Sequence, residues 1–102
     1  MMGGLPRDLA WVGVGGSVVA VDIATGSERW RTRLKRGNST VGLAADADRI
    51  LATAAGEVFC LDATTGRILW RNRLRGLGLG GATVLSPSGQ TTGAAPPPRG
   101  GR

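Results

Sequence analysis

The sequence predicts an all-β chain of about seven antiparallel strands. Three observations carry that prediction. Residues 16–34 recur as residues 56–74, with chemically unusual positions falling together at an offset of 40. Within each copy, β-branched and aromatic residues alternate with small or polar ones, the period of a strand and not of a helix. Turn-forming glycines, aspartates and serines punctuate the chain at the roughly 8–12-residue spacing typical of sandwiches, barrels and propellers.

The elements follow in order. Residues 1–8 read as a poorly ordered leader, and residues 9–14 as a strand ending at the Gly15-Gly16 turn. In the next strand Val19, Val21 and Ile23 alternate with Val18, Ala20 and Asp22. Asp22-x-x-Thr25-Gly26 is then a tight turn, because the carboxylate and hydroxyl can accept backbone N–H groups and glycine supplies a positive φ. Residues 28–35 form the strand after it, with Trp30, Thr32 and Leu34 on one face and Arg29, Arg31 and Arg33 on the other. The second copy begins with a short strand at residues 40–45, a polar turn at Asp46-Ala47-Asp48 and a strand at 49–54. Phe59 and Leu61 then alternate with Val58, Cys60 and Asp62, the turn Asp62-x-x-Thr65-Gly66 follows, and Trp70, Asn72 and Leu74 oppose Arg71, Arg73 and Arg75. A last strand is expected at residues 82–86, counterpart of 40–45 at an offset of 41. Residues 89–102, rich in Pro, Gly, Ser and Thr, read as a disordered tail that cannot offset the entropy of its own ordering.

Composition narrows the chemistry. The 102 residues suffice for one small domain, and 41% apolar content is too high for wholesale disorder. The single Cys60 excludes an internal disulfide, and the absence of histidine removes the commonest general base and metal ligand. No apolar run is long enough for a bilayer helix. Gly13, Gly15, Gly16 and Ser17 interrupt the only stretch that could act as the apolar core of an export signal. The chain as written is therefore expected in the cytoplasm, although a longer parent could be exported.

The pattern Ala20-Val21-Asp22-x-x-Thr25-Gly26-x-x-x-Trp30, repeated as Cys60-Leu61-Asp62-x-x-Thr65-Gly66-x-x-x-Trp70, resembles the repeat of pyrroloquinoline-quinone-like (PQQ-like) β-propellers. That family includes quinoprotein dehydrogenases and cofactor-free propellers that act as binding platforms. The resemblance covers about residues 9–86 and implies four-stranded blades with the tryptophan strand outermost, its indole docked on the neighbouring blade over small residues such as Ala20 or Cys60. Residues 40–74 would then be one whole blade, 9–34 three strands of the blade before, and 82–86 the first strand of the blade after. Propellers close with about four to eight blades, and repeat arrays generally need about three units for stability. The chain is thus expected to be a partial propeller within residues 9–88, completed by further blades from the same or another chain, homo-oligomerisation included.

Asp22, Thr25, Gly26, Trp30, Asp62, Thr65, Gly66 and Trp70 are read as architectural, since each belongs to a repeated pattern. Trp11 has Leu51 at its repeat position and is the least predetermined indole. Cys60 reads as a small buried hydrophobe. Arg31, Arg33, Arg71 and Arg73 could neutralise a polyanion. Charges on an edge strand more often block edge-to-edge pairing, and with three Trp, one Phe and no Tyr, stacking platforms for nucleic acid are few. Gly76-Leu77-Gly78-Leu79-Gly80-Gly81 follows a strand and leads into another, with no helix to bind phosphate. The resemblance would place quinone, Ca²⁺ and a vicinal disulfide in a dehydrogenase, and the residues for these are missing from this chain.

The function expected is therefore a non-enzymatic scaffold or protein-interaction module, a fragment of a larger PQQ-like propeller protein. It would hold no catalytic, cofactor or metal residue of its own, and PQQ would enter only with a complete quinoprotein propeller. A fragment of a PQQ-dependent dehydrogenase and a basic polyanion-binding surface are the alternatives.

Overall fold

The computed structural model describes residues 4–75 and 90–92, and it is built from strands and turns without a helix among them. Eight strands run in chain order: β1 Leu9–Val14, β2 Ser17–Asp22, β3 Glu28–Arg33, β4 Val41–Asp46, β5 Arg49–Ala54, β6 Glu57–Asp62, β7 Ile68–Asn72 and β8 Gln90–Thr92. β1, β2 and β3 form one antiparallel sheet in that order, and β7, β6, β5, β4 and β8 form the second.

Local chemistry accounts for the hairpins. The β1–β2 turn has Gly15 and Gly16 at φ 56° and 76°, and the β5–β6 turn has Ala55 and Gly56 at φ 51° and 78°. Two successive positive φ values give the turn whose twist matches that of paired strands. Both tryptophan strands are irregular at the same place: the β2–β3 register shifts between Ala20 and Val21, and the β6–β7 register between Cys60 and Leu61. The repeat therefore extends to its bulges.

The 40-residue echo is thus a repeat of sheets. Ala20 stands between Trp11 on β1 and Trp30 on β3, while Cys60 stands between Leu51 on β5 and Trp70 on β7. In each sheet the tryptophan strand lies at an edge. Residues 40–74 supply one four-stranded blade and residues 9–34 three strands of another, as the repeat pattern implies.

The core lies between the two sheets. Val18 and Leu34 from the first meet Val41, Ile50, Ala52, Ala54, Phe59, Leu61 and Ala63 from the second. The sheets also approach closely at Gly13, where a Cβ would lie 2.8 Å from Val41 Cγ1 and 2.9 Å from the Val41 carbonyl oxygen. Any larger residue on β1 at this point would push the sheets apart.

Three boundaries differ from the sequence reading. The strand expected at residues 28–35 ends at Arg33, and the one expected at 40–45 lies one residue later, at Val41–Asp46. Gln90–Thr92, assigned from composition to the tail, instead pair with β4 through Leu43↔Thr92, Ala44↔Thr91 and Ala45↔Gln90. The outer edge of β4 can take a further strand through its main-chain N–H and C=O groups, and an edge of that kind captures extended backbone whatever its composition. The strand expected at 82–86 and the glycine-rich 76–81 segment lie outside the described residues, as does the remainder of the 89–102 stretch.

Candidate functional site

The two Asp-x-x-Thr-Gly turns have the same construction. Asp22 Oδ1 accepts from the N–H groups of Ala24 and Thr25 at 2.9 and 3.1 Å. Asp62 Oδ1 accepts from Thr64 and Thr65 at 2.8 and 3.0 Å. Each glycine N–H closes the turn on its aspartate carbonyl, Gly26 on Asp22 at 2.7 Å and Gly66 on Asp62 at 2.8 Å. The threonine hydroxyls accept in turn from the N–H groups of Ser27 and Arg67. With φ of 78° at Gly26 and 81° at Gly66, both positions sit in the left-handed region that a Cβ opposes. The N–H donors of Thr65, and next those of Thr64, hold the Asp62 carboxyl below its ordinary value of 3.8.

What differs is the surface next to each turn. Trp30 lies against Gly66, so that a Cβ there would fall within the indole and 2.8 Å from Thr32 Oγ1. Thr32 Oγ1 donates to the Gly66 carbonyl at 2.6 Å. Trp30 Nε1 and Trp11 Nε1 donate to the Ala63 carbonyl at 3.3 and 3.0 Å. The first blade thus grips the turn of the second through two indoles and a hydroxyl. Around Gly26, by contrast, a Cβ would meet nothing within 4 Å.

Among the described residues no such turn lies against Trp70, which is 45% exposed. Its neighbour Ile68 is 40% exposed, and on the far face of the first blade Val12, Val14 and Ile23 are 44, 57 and 62% exposed. Among the described residues the exposed large apolar side chains thus gather at Ile68, Leu69 and Trp70 on the edge strand of the second blade and at Val12, Val14 and Ile23 on the first, while Ala44, Thr53 and Cys60 are buried.

A second bond between blades went unnoticed in the sequence. Lys35 Nζ contacts Glu57 Oε2 at 2.7 Å. Glu57 Oε1, buried and without a hydrogen bond, has Arg71 Nε at 3.7 Å. The Lys35 hydrogen bond pulls the Glu57 carboxyl below its ordinary 4.5, aided by the charges of Lys35, Arg71 and Arg73 and opposed by burial. Charge alternation alone gives no signal for such a pair, because the partners are 22 residues apart.

Arginines of the basic runs are exposed, and several are occupied. Arg31 bonds Glu28 through two nitrogens, at 3.0 and 2.8 Å. Arg29 lies 3.4 Å from both Asp8 and Asp22. Arg33 Nη1 donates to the Lys35 carbonyl, while Arg73 is exposed at the end of β7. Cys60 is buried at 1% exposure, and desolvation pushes its thiol above the ordinary 9.0. Among the described residues no three His, Cys, Asp or Glu side chains gather closely enough to hold a metal ion.

Comparison with known proteins agrees with this architecture. No curated protein gives a significant match. The model of one family, described as outer membrane protein assembly factor BamB, matches residues 14–92. That span takes in both Asp-x-x-Thr-Gly turns and both edge tryptophans, and so the chain belongs to the PQQ-like β-propeller repeat family.

Proposed function

We propose that the protein is a non-enzymatic scaffold module of a larger PQQ-like propeller assembly, and that its working surfaces are the exposed Val12 and Val14 side of the first blade and the exposed Ile68–Trp70 edge of the second. The observation that carries this reading is the contrast between two equivalent indoles. Trp30 is spent on the next blade's turn, whereas Trp70, at the same register position, is 45% exposed. Large exposed aromatic groups beside apolar neighbours mark contact surfaces for protein. The repeated aspartates support the same reading, since their carboxylates are engaged by turn N–H groups.

A photo-crosslinking residue at Ile68, irradiated in cells producing the protein, is expected to give a discrete adduct with a protein. The purified chain, titrated with pyrroloquinoline quinone and Ca²⁺, is expected to show neither saturable binding nor dye-linked dehydrogenase turnover. Absence of any adduct, or quinone binding with turnover, overturns the proposal.

A further inference from the structure

Resting on that reading and adding a second surface to it, we infer that the protein partner presents an acidic segment, which binds where Arg33, Lys35, Arg71 and Arg73 converge at one end of the blade pair. The strands sort the charges by end. Leu9↔Asp22, Asp46↔Arg49 and Arg49↔Asp62 pair at one end of the two sheets. Ser17↔Arg33, Ala54↔Glu57 and Val58↔Asn72 pair at the other. Gly13 against Val41 and Lys35 against Glu57 bring these second ends side by side. Six of the seven acids, Asp8, Asp22, Glu28, Asp46, Asp48 and Asp62, fall at the first end, together with Arg7, Arg29, Arg49 and Arg67. Only Glu57 falls at the second.

Contacts from both blades tie that second end together. Lys35 Nζ, from the loop after β3, lies 2.7 Å from Glu57 Oε2, and Arg71 Nε, on β7, lies 3.7 Å from Oε1. Arg33 Nη1 donates to the Lys35 carbonyl at 3.4 Å. Arg73 stands close enough for its charge to act on the same carboxylate. Four cations therefore gather around one acid, with Arg36 and Arg75 beside them in sequence. Among the described residues no ion pair engages Arg33, Arg36, Arg73 or Arg75. Residues 63–102 contain no Asp or Glu that could reach them. The excess charge is left for an anion from outside.

Protection of strand edges does not require this arrangement. Mixed charges on β3 and β7 would block edge pairing as well, whereas gathering like charges from two edge strands in one place costs self-repulsion. Glu57 offsets part of that cost. Its side chain is only 12% exposed, so it holds Lys35 and faces Arg71 from beneath, while Arg33, Arg71 and Arg73 remain at the surface.

The chemistry of the cluster favours carboxylates on a protein. Guanidinium groups are planar forks that match a carboxylate two bonds at a time, and three of the four converging cations are arginines. A nucleic-acid strand would need aromatic surfaces on which its bases stack. Phe59 is buried, Trp11 and Trp30 are committed to the Ala63 carbonyl, and Trp70 lies mid-strand in the row of Cys60. Arg71 also shares β7 with the exposed Ile68–Trp70 edge, so one protein partner can reach both.

Fluorescence anisotropy of a labelled synthetic oligoglutamate, titrated with the full chain, tests this. Saturable binding is expected at about 0.05 M salt, weakening steadily towards about 0.5 M as the charges are screened. A variant carrying both Arg71→Gln and Arg73→Gln is expected to bind about tenfold more weakly, the effect of losing two exposed ion pairs. A variant carrying Arg7→Gln and Arg67→Gln loses the same net charge at the opposite end and is expected to bind like wild type. Both are expected to keep the wild-type far-ultraviolet circular dichroism.

No saturable binding by wild type overturns the inference. An equal loss in the two variants also overturns it, because net charge alone would then account for the binding. Tighter binding of a single-stranded oligonucleotide, or of phosphatidylserine–phosphatidylcholine vesicles, at the same salt overturns the acidic segment as the partner. The Ile68 crosslink separates this failure from that of the broader reading. A discrete protein adduct without oligoglutamate binding sinks the acidic partner and keeps the protein-contact function; no adduct at all sinks both.

Discussion

Trp11 and Trp30, on the two outer strands of the first blade, both donate to the Ala63 carbonyl of the second, at 3.0 and 3.3 Å. One acceptor with two lone pairs thus fixes two indoles. Either donor alone can keep that carbonyl satisfied. Trp11→Phe and Trp30→Phe are each expected to lower stability by about 1 kcal/mol, the net worth of a typical hydrogen bond. The double variant should exceed the sum of the two, because only then is a carbonyl between the blades left without a donor. Urea unfolding of the four proteins in this cycle measures the excess, and strict additivity would contradict shared satisfaction.

Gly26 and Gly66 provide an internal control, having the same turn and the same left-handed backbone. Gly26→Ala is expected to cost about 1 kcal/mol, the penalty of placing a Cβ in that region. Gly66→Ala incurs the same penalty, and its Cβ also enters the ring of Trp30. Overpacking adds roughly 1–3 kcal/mol, so the Gly66 variant should melt well below the Gly26 variant. Equal midpoints by thermal denaturation would mean that Trp30 moves aside freely.

Acid should loosen the module through two carboxylates. Glu57 is depressed chiefly by its Lys35 hydrogen bond and Asp62 chiefly by the Thr65 and Thr64 N–H groups. A group whose folded pKa lies below its unfolded one stabilises fully above the unfolded value and loses that contribution as pH falls through the folded value. Stability is therefore expected to be flat above the ordinary values of 4.5 and 3.8 and to decline below them. Lys35→Met should flatten the part due to Glu57 and leave the part due to Asp62. Urea midpoints between about pH 6 and pH 2 check this, since the unfolded carboxylates titrate near pH 4; an unchanged slope in the Lys35 variant would remove Glu57 as a source.

Ala55 has φ 51° in a hairpin whose first-blade counterpart uses Gly15 at φ 56°. An alanine held there costs about 1 kcal/mol relative to glycine. Ala55→Gly is accordingly expected to raise stability by about that amount, less the extra entropy glycine gains on unfolding. A chemical denaturation midpoint that falls would show that the side chain makes contacts outweighing its backbone strain.

Much of this was legible in the residues, and the reasons are local. Val18–Val21 and Val58–Leu61 announce strands by alternation, and Asp-x-x-Thr-Gly announces a turn by its acceptors and its glycine. Trp30 and Trp70 were marked by recurrence. What stayed hidden depends on how the sheets meet. Trp11 was visible only as the indole that breaks the repeat, and nothing local tells that it reaches Ala63, 52 residues away. The Thr32–Gly66 and Lys35–Glu57 contacts are hidden for the same reason. Gln90–Thr92 escaped because composition speaks to the cost of ordering a segment, while the strand partner it finds on β4 is a property of the fold.

Among the described residues β1 closes off its sheet, and the support that β4 gives β5 in the second blade has no counterpart beside it. The outward amides of Leu9–Val14 are consequently a berth for foreign backbone, bound through main-chain groups and indifferent to most of the visitor's side chains. A synthetic splint with the Val41–Asp46 pattern would lodge there without any change to the covalent chain.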